Sequence, residues 1–162
     1  MLEYGMGLRA GEVSRLTTRD WDQTAGTMLI RGKRLKERLL PVPPEVASVV
    51  RAYLAEVGER PGPLIRSVTR PWAGISPETL SHYVRHWMAD AGVKRGPLDG
   101  RSGHVLRRTA ATELLDACGD VRVASAFLGH SNTAVTMRHY IRRAELAQIR
   151  AAMQRRDINP AA

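Results

Sequence analysis

Residues Gly103 to Leu128 hold two helical patterns parted by a single break, and no other stretch restricts the fold as much. In the first pattern, Val105, Leu106, Ala110, Leu114 and Leu115 recur at helical spacing and would hold the segment against a core. Gly119 then offers a C-cap and Asp120 an N-cap, so a second helix is expected from Val121 to about Leu128. Gly129 ends it and presents His130 at a turn. His104 and Arg107, one helical turn apart, share a face of the first helix. Tyr140 follows, between His139 and a basic tail.

Two histidines, an arginine and a tyrosine are the residue types needed to attack a phosphate without a metal. A phenol has a free pKa of about 10 and is a poor nucleophile until a base or local positive charge activates it. The attacked phosphate gathers negative charge on its non-bridging oxygens, which arginine meets with a two-pronged fork that lysine lacks. The stretch therefore reads as an active site for breaking phosphodiester bonds, short of a second arginine and an acid for the leaving oxygen.

Both occur upstream. In G-L-R-A-G-E-V, Arg9 stands at the start of a short helix expected over Ala10 to Leu16, near backbone N–H groups that favour an anion. Glu12, one turn on, is placed to buttress Arg9 or a neighbouring basic group; taken alone, the two read as an ordinary surface pair. Two β-prone runs, Thr27 to Arg31 and Arg38 to Pro43, are joined by G-K-R-L-K-E, a loop too long and charged for a two-residue turn. Lys33 is thus displayed at a hairpin tip. Its flexible ammonium can reach a leaving oxygen and donate a proton, although most loop charge of this kind is simply solvated.

The length, 162 residues, suits one domain with a sizeable core. The formal charge is +9, and Lys33, Lys36 and Lys94 are the sole lysines among 25 basic residues. That balance points to a polyanionic partner, nucleic acid ahead of an anionic membrane. No apolar run has membrane-spanning length and no signal peptide is visible, so a cytoplasmic protein is expected. Cys118 is the one cysteine; it excludes an internal disulfide and reads as a small core residue.

Met1 to Leu8 is apolar and helix-like from its first residue, as though an upstream domain preceded it. Pro44 opens a helix to about Val57 with Val46, Val49, Val50, Tyr53 and Leu54 as its stripe. Gly58 to Gly74 is mostly loop, with a short extended piece at Leu64–Ile65, and Ser76-Pro77-Glu78 starts a helix to about Ala91. His82 and His86 have a metal-ligating spacing but no third ligand, so they read as surface or DNA-facing residues. Lys94 to Ser102 is a polar loop. Ala144 to Arg156 forms a helix with Leu146, Ile149 and Met153 on one side, either a lid on its own domain or a coupling device handed to a neighbour. The expected fold is one domain over residues 1–162, mainly α with a small antiparallel β-sheet near residues 21–43.

The ordered set Arg9, Lys33, His104, Arg107, His130 and Tyr140, written R…K…H-x-x-R…G-H…Y, resembles the catalytic domain of tyrosine recombinases, the phage-integrase family. The local contexts agree: G-L-R-x-x-E around Arg9, G-K-x-x-K-E-R-x-x-P around Lys33, and L-G-H-S before the tyrosine. The match runs from about Gly5 to Arg143. It implies that Tyr140 attacks the scissile phosphate, giving a 3′-phosphotyrosine and a free 5′-hydroxyl. Arg9 and Arg107 would bind the non-bridging oxygens, Lys33 would protonate the leaving oxygen, His104 would assist proton transfer and His130 would hold the phosphate. Glu12 would support them, and Lys36, Arg34 and Arg108 would contact DNA. The resemblance implies no metal and no cofactor, double-stranded DNA as partner, a tetramer on DNA that is weakly associated or monomeric without it, and work at the nucleoid.

Three departures from the family pattern stand out. Arg108 replaces a usual histidine, Arg34 a usual glycine, and the family's N-terminal DNA-clamping domain is missing from this sequence, so weak, salt-sensitive DNA binding is expected. Two further readings stay open, a type IB topoisomerase and a truncated remnant that only binds DNA or a protein.

Overall fold

The computed structural model describes residues 1–32, 36–96, 99 and 102–129. Local chemistry sets most helix ends. Helix α1 spans Leu2–Gly5 and α2 spans Ala10–Val13, each shorter than the apolar runs suggested. Helix α3 (Pro44–Val57) begins on a proline whose missing N–H costs nothing there, and turns Val46, Ala47, Val50 and Leu54 inward. Helix α4 (Pro77–Asp90) is capped by Ser76, whose Oγ accepts the Thr79 N–H at 3.1 Å, and buries Leu80, Val84 and Met88. Helix α5 (Gly103–Cys118) stops at Gly119, which is left-handed at φ +68° and returns its N–H to Leu115 O at 2.7 Å. Helix α6 (Val121–Leu128) starts at once, because Asp120 accepts the Arg122 N–H at 2.8 Å. The Gly-Asp break falls where the residues place it.

Three antiparallel strands form one sheet in the order β1 (Trp21–Asp22), β2 (Thr27–Arg31), β3 (Glu37–Pro41). The sheet lies in the expected region, but β1 is a third strand of two residues, too short to show alternation. Met28 and Ile30 face inward and are fully buried, paired with Leu40 and Arg38 respectively. Leu64–Ile65, expected as a short extended piece, is instead a bend between isolated bridges at Pro63 and Arg66, held by Leu64 N–H to Leu16 O at 2.8 Å and Ile75 N–H to Ile65 O at 3.1 Å.

One core gathers Met6, Leu8, Val13, Leu16, Met28, Ile30, Val46, Leu54 and Leu64 with the inner faces of α3 and α4. A smaller cluster joins Ala111 of α5 to Leu128 of α6, with Leu115, Val121 and Phe127 around it. The stripe expected on α5 needs correction here: Leu114 and Leu115 are half-buried, whereas Arg107, Ala110 and Ala111 are buried. The small Ala111 lets α6 approach closely and is covered by it, while Leu115 sits at the rim of that contact. Cys118 is exposed and not a core residue; α5 outlasts the core, and the thiol in its last turn reaches Asp120 O at 3.7 Å. Tyr4 Oη donates to the Glu113 carboxylate at 2.8 and 3.0 Å, tying α1 to α5. Among the described residues no helix is long and apolar enough to cross a membrane.

Candidate active site

Gly7 adopts φ +59°, and a side chain there would run into the Phe127 ring, so the turn into α2 packs directly on α6. That turn makes Arg9 the N-cap of α2 with extended backbone (φ −81°, ψ 150°). Glu12, in the third helical position, reaches back and accepts the Arg9 backbone N–H on Oε2 at 2.9 Å. The same carboxylate collects a further four N–H contacts. Oε1 accepts from Arg9 Nη1 at 3.1 Å and Arg38 Nη1 at 2.9 Å, while Oε2 accepts from Arg38 Nη2 at 3.0 Å and Arg107 Nη1 at 3.4 Å. Glu12 is 2% exposed, so the ordinary surface pair with Arg9 is overturned: the carboxylate is the buried centre of three arginines.

Burial alone would push the Glu12 carboxyl up. The Arg38 fork, the Arg9 backbone N–H and the charges of Arg38 and Arg107 outweigh it and hold the group below the usual glutamate range. Three guanidinium groups against one carboxylate leave two positive charges in excess. Arg9 shows that excess outward, its side chain being 43% exposed. Arg107 is buried and also donates to Gly7 O and Leu128 O, so it joins the α2 turn to the end of α6.

Two glycines bring further backbone to this cluster, one beside Glu12 and one against Arg38. Gly32, which precedes Lys33, donates its N–H to Lys36 O at 2.7 Å, and a Cβ built on it would lie 3.8 Å from Glu12 Oε1. Gly129, which precedes His130, is left-handed at φ +61°, and a Cβ there would meet Arg38 Nη1 at 2.7 Å. Only glycine suits that turn. The hairpin base beneath Gly32 is braced as well: Arg31 pairs with Asp20 and, at 3.1 Å, with Glu37, and Asp20 accepts both the N–H and the hydroxyl of Thr17 at 2.8 Å.

Of the residues expected at the site, Arg9, Glu12 and Arg107 come together. His104 is exposed in the first turn of α5, one turn before Arg107. Arg108 and Lys36 are exposed. Lys33, Arg34, His130 and Tyr140 lie outside the described residues, as does the helix expected over 144–156. His82 and His86 stack with ring centroids 6.3 Å apart and line an open groove of about 570 Å³ with Arg85, Lys94 and Arg95. Lys94 pairs with Asp99 at 2.7 Å.

Arg38 escaped the sequence reading, although a signal for it existed. In β3, Leu40 faces the core and Leu39 faces solvent, so alternation puts Arg38 on the core side. An inward arginine on a strand requires an acid to meet it, and Glu12 is that acid.

Residues 1–146 match the phage integrase family. The tyrosine recombinase XerA of Thermococcus kodakarensis is 32% identical over 158 residues, covering 92% of this chain and 54% of that protein. The tyrosine recombinase XerC of Rhodospirillum centenum is 36% identical over 141 residues, covering 85% of this chain and 40% of that protein. Among solved structures, the crystal structure of XerA recombinase matches with a TM-score of 0.73 at 26% identity, covering 84% of this chain and 49% of that one. The integrase from mycobacterium phage Brujita matches with a TM-score of 0.64 at 27% identity, covering 80% and 40%. The chain spans about half the length of the curated relatives it matches.

Proposed function

The chain belongs to the phage integrase family, and from that membership we propose that residues 1–162 work as the catalytic domain of a site-specific DNA recombinase. The observation that carries the reading is the Glu12 cluster. It joins Arg9 to Arg107 and stands against the glycines that lead into Lys33 and His130. These are the groups a metal-free phosphoryl transfer needs on one phosphate.

In this reading the Tyr140 phenolic oxygen attacks phosphorus and the bond to the 5′-oxygen breaks. Lys33 gives that oxygen its proton, and His104 takes part in moving the phenol's proton. Arg9 and Arg107 neutralise the charge that gathers on the non-bridging oxygens, with His130 as a further donor. Losing one such preorganised donor costs about 10²–10³ in rate, by analogy with oxyanion holes. The product is a 3′-phosphotyrosyl bond, which keeps the energy of the phosphodiester, so the 5′-hydroxyl of another strand reverses the step and completes an exchange. The partner is duplex DNA, engaged at the nucleoid by four copies on two duplexes, with Lys36, Arg34 and Arg108 on the backbone.

The test is covalent trapping on a pool of nicked duplexes that lose the short 5′-hydroxyl end after cleavage. Wild type is expected to give a chelator-resistant, DNA-linked band on a denaturing gel, with native mass showing four copies on the trapped DNA, and Tyr140→Phe to give none. A band in both would mean another nucleophile. Relaxation of supercoiled plasmid with no recombinant product would favour a type IB topoisomerase, and DNA binding with no band a binding remnant.

A further inference from the structure

We propose that Arg38 is a positioning residue for strand cleavage, acting through Glu12 on Arg9 and Arg107 and through the end of α6 on the chain entering His130. The inference rests on the recombinase reading above. All three guanidinium nitrogens of Arg38 are engaged by protein acceptors: Nη1 and Nη2 by the two Glu12 oxygens, and Nε by Phe127 O at 3.0 Å. Its side chain is 13% exposed. A group so occupied is not presented to a phosphate; it fixes other groups.

What it fixes is specific. Phe127 O and Leu128 O, adjacent carbonyls at the end of α6, accept from Arg38 and Arg107 respectively, and both arginines close on Glu12. A cation is favoured at that helix end, where carbonyls are left without intrahelical partners. Gly129 folds over Arg38 with no room for a side chain. Arg38 therefore spans a strand, the α2 turn and α6. Its planar fork meets three acceptors that a lysine, as a point charge, cannot meet together.

Removing Arg38 has two consequences. The Glu12 charge loses its principal partner and takes up a proton at higher pH, which releases Arg9. The turn after α6 also loses one of its two arginine clamps.

The experiment uses the 162-residue chain and nicked duplexes recovered from the trapping pool. Single-turnover adduct formation is followed from about pH 3.5 to pH 9, so that the range reaches below the usual glutamate value, and duplex affinity is measured separately, for wild type, Arg38→Gln, Arg38→Lys, Glu12→Gln and the double variant Arg38→Gln/Glu12→Gln. Arg38→Gln is expected to cleave about 10- to 100-fold more slowly, by analogy with the loss of a group that orients a metal ligand. Duplex affinity should stay within about threefold, since a group engaged only by protein makes no counterion-releasing phosphate contact. The acid limb of its pH–rate profile is expected at higher pH than in wild type. Arg38→Lys should recover little of the rate. The double variant should be no slower than the slower single, because both act through one cluster.

An unchanged rate, an acid limb that stays in place, or losses that multiply in the double variant would overturn the proposal. Should Arg38→Gln fail to fold, Arg38→Lys takes the same test, with a smaller loss and the same direction of pH shift. Absence of any adduct with wild type would instead overturn the recombinase reading on which this rests.

Discussion

Protonating Glu12 would leave three guanidinium groups facing one another in a buried site, so this residue couples the fold to pH. Its folded-state carboxyl lies below the usual glutamate range of about 4.5. The unfolded chain therefore binds the proton more readily. Stability from the cluster is fully present above that value and drains away as pH falls through the lower, folded value. Glu12→Gln is expected to lower stability at pH 7 by about 3 kcal/mol, in the range for breaking a buried pair by removing one partner. Urea midpoints of wild type and variant should converge as pH drops below about 4.5. A gap that stayed constant from pH 7 to pH 3 would mean that the carboxylate charge is irrelevant to the cluster.

At the scale of elements, a second buried carboxylate behaves in the opposite sense. Glu3 of α1 is 6% exposed, and Oε2 has no hydrogen-bond partner among the described residues. It presses against Gly103 at the start of α5, where a side chain would collide with it. Burial pushes this carboxyl up, and the chain's own amino group pulls it down by less. For a raised acid, the stability contribution is full below the unfolded value and is lost as pH rises through the folded one. Glu3→Gln is therefore expected to gain on wild type as pH rises above the usual glutamate value of about 4.5, read as a growing difference in midpoint. A difference that shrinks over that range would mean that α5 welcomes the charge. The elements themselves were largely legible in the sequence. Pro44, Gly58, Ser76, Pro77, Gly119, Asp120 and Gly129 mark helix ends by chemistry confined to one turn, and α3, α4 and α6 start and stop within a residue or two of where the sequence places them. Strand β1 was hidden because two residues carry no period, and α5 was misjudged because Ala111 is covered only through the arrival of α6.

For the whole molecule, a charge of +9 would make the proposed association with DNA a matter of counterion release. Each phosphate neutralised contributes about −0.9 to the slope of log affinity against log salt. If Arg108 and Lys36, both exposed, meet the backbone as proposed, replacing either by alanine should flatten that slope by about one and weaken all duplexes alike. An unchanged slope for both would move the DNA-facing surface elsewhere, the His82–Arg95 groove being the next candidate. The sequence by itself determined the charge, the helix punctuation and the order of the chemically active residues, because each is a property of single residues or of neighbours within a turn. Only the tertiary structure decided that Glu12 is buried and that Arg38 joins it. Glu12 meets Arg38 from 26 residues away and Arg107 from 95, and whether a charge is buried depends on which distant charges fold against it. The reading of Arg9 and Glu12 as a surface pair failed on that ground: the pairing was local, and the burial was not.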